Sequence, residues 1–161
     1  MVENAIVFDM DGTIADLYGV ADWLPKLRSS DPSPYAEARP LINMAVLARL
    51  IHKAQRLNYR VVIVSWGSMN ASPEYDEAVA EAKRAWLRKH LPSVTFDEII
   101  ITPYGVPKHS LADGILFDDN ADIRADWGRQ AYEPDMIFTI LRELGTTKAI
   151  DREILSWLKE G

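Results

Sequence analysis

The sequence predicts an α/β fold: a three-layer, Rossmann-like core whose mostly parallel sheet carries helices on both faces, with a small flap inserted near its start. Three observations predict it. Short, continuously apolar runs alternate with stretches of helical periodicity, the pattern of strands covered on both sides. The residues richest in chemistry fall at the carboxyl ends of those runs, where open α/β sheets bind ligands. One long, proline-rich segment interrupts the alternation just after the first run.

The first run, Ala5-Ile6-Val7-Phe8, is too short for a helix and apolar throughout, as a buried strand requires. Residues 14–40 follow, with Pro25, Pro32, Pro34 and Pro40 among them, together with Trp23 and Tyr35. A connection of that length is uncommon in a compact domain unless it has a function, so a small irregular cap or flap is expected, with one short helix near residues 20–28. Leu47, Leu50, Ile51, Ala54 and Leu57 then mark a helical stripe. Residues 60–64 form the second strand and deliver Ser65 at its end. Ser72 as N-cap and Pro73 in the first turn open another helix, with Tyr75, Val79, Ala82 and Trp86 on its apolar side. Strands follow at residues 98–101 and 114–117, with a short one near 130–132. Ile137, Ile140, Leu141 and Leu144 mark a helix closed by Gly145, and Ile150, Ile154, Leu155 and Leu158 mark the last.

The 161 residues suit one domain, 1–161, with the flap at 14–40 inside it. With 0 cysteines, thiolate zinc sites and cysteine nucleophiles are excluded. The net charge of -6 argues against a nucleic-acid partner and demands a local cation wherever a phosphate is to bind. No apolar run reaches the length of a membrane span. The chain runs straight into a strand, with no basic segment followed by a long apolar one, so no secretory signal and a cytoplasmic location are expected.

Asp9-Met10-Asp11-Gly12-Thr13 follows the first strand directly. Two carboxylates on one tight turn repel each other and resist desolvation, a conflict that a divalent cation removes. Mg²⁺, which takes hard oxygens, waters and substrate phosphate, is the expected cofactor. Asp9 is assigned as nucleophile and metal ligand. Asp11 is assigned as general acid, then base, and as a further ligand. Gly12 allows the turn and Thr13 braces it. An Asx-turn or a calcium loop would use similar residues. Ser65, with the backbone of Trp66, Gly67 and Ser68, offers an anion cradle at a strand exit. Lys108, among Pro103, Gly105 and Pro107, is placed to neutralise phosphate and crowded acids. Asp118 and Asp119 close the apolar strand ending at Phe117. One is expected on the metal and the other on Lys108 or a metal-bound water, while Asp119 or Asn120 could instead cap a helix. Lys83, Arg84, Arg88 and Lys89 read as a solvated helix face, because Glu77 and Glu81 precede them at helical spacing. His52, His90 and His109 receive no role, and Trp66 suits either the core or the face of a nucleobase.

In this order, Asp9 to Thr13, Ser65, Lys108 and Asp118-Asp119, the chain resembles the haloacid dehalogenase (HAD) superfamily of phosphohydrolases over nearly its whole length. The resemblance implies a Rossmann-like core and Mg²⁺-dependent phosphoryl transfer through an aspartate. Asp11 sets it apart from the dehalogenase branch, which lacks the second acid. The stretch from Val64 to Asn120, including Trp86-Leu87-Arg88-Lys89-His90-Leu91-Pro92 and Phe96-Asp97-Glu98-Ile99-Ile100-Ile101-Thr102, looks most like the 5′(3′)-deoxyribonucleotidases. Residues 14–40 are much shorter than the helical cap of those enzymes and leave an open site, which also suits larger phosphorylated substrates. The expected function is therefore a Mg²⁺-dependent phosphomonoester phosphatase acting on a small phosphorylated substrate, with nucleoside monophosphates among the candidates. Two alternatives stand beside it. One is a polynucleotide-end phosphatase, which the net acidity counts against and the Lys83 to Lys89 strip keeps open. The other is a non-catalytic phospho-acceptor domain, although such domains carry the acceptor on a middle strand and the acid pair on the first, the reverse of the order here.

Overall fold

The computed structural model describes residues 4–69 and 72–160. β1 (Ala5–Phe8) is buried at every position. Ile6 and Phe8 enter one core and Ala5 and Val7 the other, which is why the run shows no polar alternation. β2 (Ala15–Asp16) and β3 (Arg39–Pro40) pair antiparallel and clip together the ends of residues 14–40. Between them lie a 3-10 turn, Leu17–Gly19, and two short helices, α1 (Trp23–Arg28) and α2 (Ser33–Glu37).

The insert is thus more ordered than one short helix in an irregular flap. Pro25 and Pro34 fall in first helical turns, where the missing N–H would have had no partner anyway. Leu17, Leu27 and Tyr35 form a small core of their own against Tyr75 and Val79.

α3 (Met44–Arg56) starts at Asn43, whose side chain accepts from the Val46 N–H at 3.0 Å. β4 (Arg60–Trp66) runs beyond the expected residue 64. α4 (Pro73–His90) opens as expected, with Ser72 Oγ accepting from the Tyr75 N–H at 3.2 Å. β5 (Glu98–Thr102) supplies the partners, Ile101 and Thr102, that extend β4 through Ser65 and Trp66. β6 (Ile115–Phe117), α5 (Ala121–Trp127), β7 (Ala131–Tyr132), α6 (Ile137–Glu143) and α7 (Thr147–Glu160) complete the order. The last apolar stripe does form a helix, α7, but Ile150, Ile154, Leu155 and Leu158 face solvent. α7 is anchored instead through Arg152 on Glu143 and through Trp157, whose ring centroid lies 3.3 Å from the Arg129 guanidinium. Among the described residues no helix is long and apolar enough to cross a membrane.

The sheet order is β5-β4-β1-β6-β7, and every pairing is parallel. The chain leaves β1 for β4 and β5 on one side, then crosses to β6 and β7 on the other. The direction reverses between β1 and β6, so a crevice opens beyond their carboxyl ends. α3, α4 and α6 cover one face through Leu47, Ile51, Trp86, Ile140 and Leu141. Ile123 and Trp127 of α5 cover the other.

Trp86 joins two parts of the molecule. Its ring is 1% exposed in the main core, and its Nε1–H donates to the Ala38 carbonyl of the insert at 2.7 Å. Trp86→Ala removes both the packing and the tether. It is expected to destabilise the protein by about 3–5 kcal/mol, read as a lowered midpoint in urea unfolding.

Candidate active site

β1 and β6 end side by side, and their next residues are acids. The ladder continues one step past β1, where the Asp9 N–H donates to the Phe117 carbonyl at 3.0 Å. Asp9 and Asp118 therefore emerge next to each other. Carboxylate oxygens of Asp9, Asp118 and Asp119 lie within 4.8 Å of one another. Lys108, only 3% exposed, is wedged among them. Its ammonium donates to Asp9 Oδ1 at 2.9 Å and to Asp118 Oδ2 at 2.7 Å. Burial works against the charge on Lys108, but Asp9 and Asp118 outweigh it and raise its pKa.

Thr13 ties the two acidic loops together. Its single hydroxyl proton goes to Asp9 Oδ2 at 2.9 Å, and its oxygen accepts the Asp119 N–H at 3.2 Å. The bracing holds the turn itself, through Asp9, and also reaches the loop after β6, through Asp119. Gly12 has a φ of +80°, and a Cβ there would run into the Asp119 carboxylate. Asn120 caps α5 by accepting from the Asp122 and Ile123 N–H groups, which leaves both preceding acids turned to the crevice.

Asp11 is set apart from the carboxylate trio. Its Oδ2 accepts from Lys83 Nζ at 2.8 Å. The solvated strip expected along α4 is wrong at this residue: Lys83 is 1% exposed. It stands four residues after Val79 and three before Trp86, so it belongs to the buried side of the helix, and Arg84 and Arg88 turn away. That spacing was the signal in the sequence that could have found it. Ser65 is also buried, and its hydroxyl accepts from Lys83 at 2.7 Å. Ser65 does not line the crevice, whereas Trp66, Gly67 and Ser68 beyond it do. The Trp66 indole is fixed by its Nε1–H on the Val106 carbonyl at 2.7 Å and by the Tyr104 ring, 4.8 Å between centroids.

Asp9, Asp11, Lys108, Asp118, Asp119 and the Trp66–Ser68 loop share a cavity of about 470 Å³, within the usual range for a small-molecule site. The insert forms its far wall through Leu17, Tyr18, Trp23, Leu24 and Tyr35. The charges do not balance. Asp9, Asp11, Asp118 and Asp119 bring four carboxylates against two buried ammonium groups, Lys83 and Lys108. The shortfall shows in their titration. Burial, then Asp9, raises the Asp118 carboxyl against the pull of Lys108. Burial likewise raises Asp11, against the opposing pull of Lys83. Asp119 stands at the mouth with one side in solvent, yet desolvation by its neighbours and repulsion from Asp9 push it up to about 7. A hard divalent cation fits this trio: it would supply two positive charges where two are missing, to oxygen donors already converged.

Fold and site together define a Rossmann-like α/β protein with an acidic, cation-seeking crevice at the switch point of a parallel sheet. No family model and no curated protein matches the sequence. Among solved structures, the chain is similar in fold to a D,D-heptose 1,7-bisphosphate phosphatase from Burkholderia thailandensis. The TM-score is 0.54 at 13% identity, covering 88% of this chain and 97% of that one.

The raised Asp119 pKa has a measurable consequence. Between the ordinary carboxyl pKa and about 7, the folded chain holds a proton that the unfolded chain has released. Stability contributed by that proton is lost as pH rises. In chelator, the Tm is expected to fall between about pH 5 and about pH 8. Mg²⁺ is expected to raise the Tm more at the higher pH, and Asp119→Asn to remove most of both effects. A Tm in chelator that climbs across this window, with no Mg²⁺ response, would contradict the assignment of this cluster.

Proposed function

We propose that the chain is a Mg²⁺-dependent phosphomonoester phosphatase of the HAD superfamily, working through an aspartyl-phosphate. The observation that carries this reading is the convergence of Asp9, Asp11, Lys108, Asp118 and Asp119 on one cavity. Asp9, Asp118 and Asp119 would hold the cation, which when bound offsets charge on the phosphoryl oxygens. Asp9 is the nucleophile. Lys108 and Thr13 hold its two oxygens in one orientation, so little is lost in aligning it for attack. An Asp9 oxygen bonds to phosphorus, the bond to the leaving oxygen breaks, and Asp11 gives its proton to that oxygen. Burial, which raises the Asp11 pKa, favours the protonated acid. Asp11, now a carboxylate, takes a proton from water as the water oxygen attacks phosphorus. The Asp9–phosphorus bond breaks, and inorganic phosphate leaves with Asp9 restored. Lys108 faces the phosphoryl position throughout and offsets its charge. The N–H groups of the Trp66–Ser68 loop are suited to cradle the phosphate, with Ser65 behind that loop rather than on the anion.

The substrate best matched to the cavity is a nucleoside monophosphate. Trp66 and Tyr104 on one wall and Tyr18 and Trp23 on the other offer aromatic faces to a planar base, close to the phosphoryl position. Residues 14–40 would act as the cap over it. The polynucleotide alternative is weakened, because Lys83 points inward and Arg88 is paired with Glu81 at 2.7 Å.

Asp9→Asn is expected to lower phosphatase turnover by about a thousandfold or more, with its unfolding curve little changed. Wild-type protein quenched in acid during turnover should carry acyl-linked phosphate on Asp9. Undiminished turnover in the variant overturns the reading. Nucleoside monophosphates should show a higher kcat/KM than glycerol phosphate, and Trp66→Ala should narrow that advantage roughly tenfold. Equal use of both compounds by the wild type would remove the nucleotide assignment and leave the phosphatase one in place.

A further inference from the structure

Lys83 is 1% exposed, as buried as any charged side chain at the site, and it does not line the cavity. Its three ammonium protons are all committed. They go to Asp11 Oδ2 at 2.8 Å, Ser65 Oγ at 2.7 Å and the Trp66 carbonyl at 2.6 Å. Two of those acceptors lie at the end of β4, a rigid strand paired on both sides. The Tyr35 ring of the insert closes over the ammonium, 4.9 Å from its centroid. An ammonium held this way has one orientation. The acid it binds is held with it, apart from the Asp9–Asp118–Asp119 trio and facing the cavity.

We propose that Lys83 is a positioning residue for Asp11, fixing that carboxyl toward the leaving-group side of the cavity and away from the cation-binding trio. The inference rests on the phosphatase reading above, in which Asp11 protonates the leaving oxygen. Without Lys83, Asp11 has no partner among the described residues tying it to β4, and a bound cation would become its strongest competing attraction. Ser65 acts in the same device, as the anchor of Lys83. Neither residue touches substrate. Their effect should therefore depend on how much the leaving group needs a proton.

The test is the first turnover of Lys83→Met and Ser65→Ala, measured in rapid quench at saturating Mg²⁺. The phosphorylation step is thereby separated from the later hydrolysis, which also uses Asp11. Two substrates are compared. The leaving group of p-nitrophenyl phosphate departs without a proton, whereas the sugar hydroxyl of a nucleoside monophosphate requires one. Lys83→Met is expected to slow phosphorylation by the nucleotide about a hundredfold, and by the aryl ester no more than a few-fold. KM should change little for either. Ser65→Ala, which leaves both charges in place and spares the fold, should show the same selectivity at a smaller size. In an Asp11→Asn background, Ser65→Ala should add almost nothing.

Equal losses on both substrates in Ser65→Ala, or a loss confined to KM, overturn the inference while leaving Asp9 as nucleophile. If Lys83→Met fails to fold, the Ser65→Ala selectivity alone decides. A first turnover that survives Asp9→Asn defeats the phosphatase reading instead, so the two failures are distinguishable.

Discussion

Four carboxylates crowded at the end of a parallel sheet are an electrostatic problem, and most of the site can be understood as its management. Asp9 and Asp118 are brought together by the β1–β6 ladder, whose register leaves no choice once the strands pair. The sheet therefore imposes the repulsion. Lys108 relieves part of it inside the trio, and Lys83 holds Asp11 outside. What remains is a deficit that a divalent ion would match. Under the proposed function, that ion would let an acidic protein accept a phosphate locally without any broad basic surface.

The two lysines do different work because they reach the site from different elements. Lys108 comes from a short 3-10 turn, Lys108–Ser110, and bridges residues on two strands. It lines the cavity. Lys83 comes from the middle of α4, behind β4, and meets its partners at the strand end from below. Removing either would leave buried carboxylates unpaired, which is costly in any fold. Of the two, only Lys108 lines the cavity, so under the proposed function only Lys108 would act on the phosphoryl group itself.

The core was legible in the sequence because strands covered on both faces are uniformly apolar. Ala5 to Phe8 and Ile115 to Phe117 announce themselves this way, and Ser72-Pro73 announces α4. The acids at strand ends were legible for a related reason: Asp9 and Asp118-Asp119 have no stabilising purpose beside such runs. Lys83 was hidden. A lysine flanked by Arg84 and preceded by glutamates satisfies the pattern of a solvated helix, and charge composition carries no direction. Only its register with Val79 and Trp86 marks the buried side. Residues 14–40 were hidden for a different reason. Their order comes from packing Leu17, Leu27 and Tyr35 onto Tyr75 and Val79, contacts distant in sequence that no local periodicity encodes. Ser65 was identified as a residue of the site, but its direction depended on Lys83 and could not be read without it.

Under the proposed function, the insert would link specificity to chemistry through Tyr35. Tyr35 lines the cavity, and its ring lies over the Lys83 ammonium. Its hydroxyl stays neutral well above the ordinary range, chiefly through burial and then through Asp11. Tyr35 thus acts toward Lys83 as an uncharged, low-dielectric lid that strengthens the Lys83–Asp11 pair by keeping water from it. Trp86 fixes the insert to the core through the Ala38 carbonyl, three residues beyond Tyr35, so this lid is seated by the same core that seats the sheet. The wall that would meet the leaving group and the wall that shields the acid's partner are one element. A change in the insert that enlarges the cavity should therefore alter the orientation of Asp11 as well as the choice of substrate, and the two effects cannot be tuned independently while Tyr35 serves both.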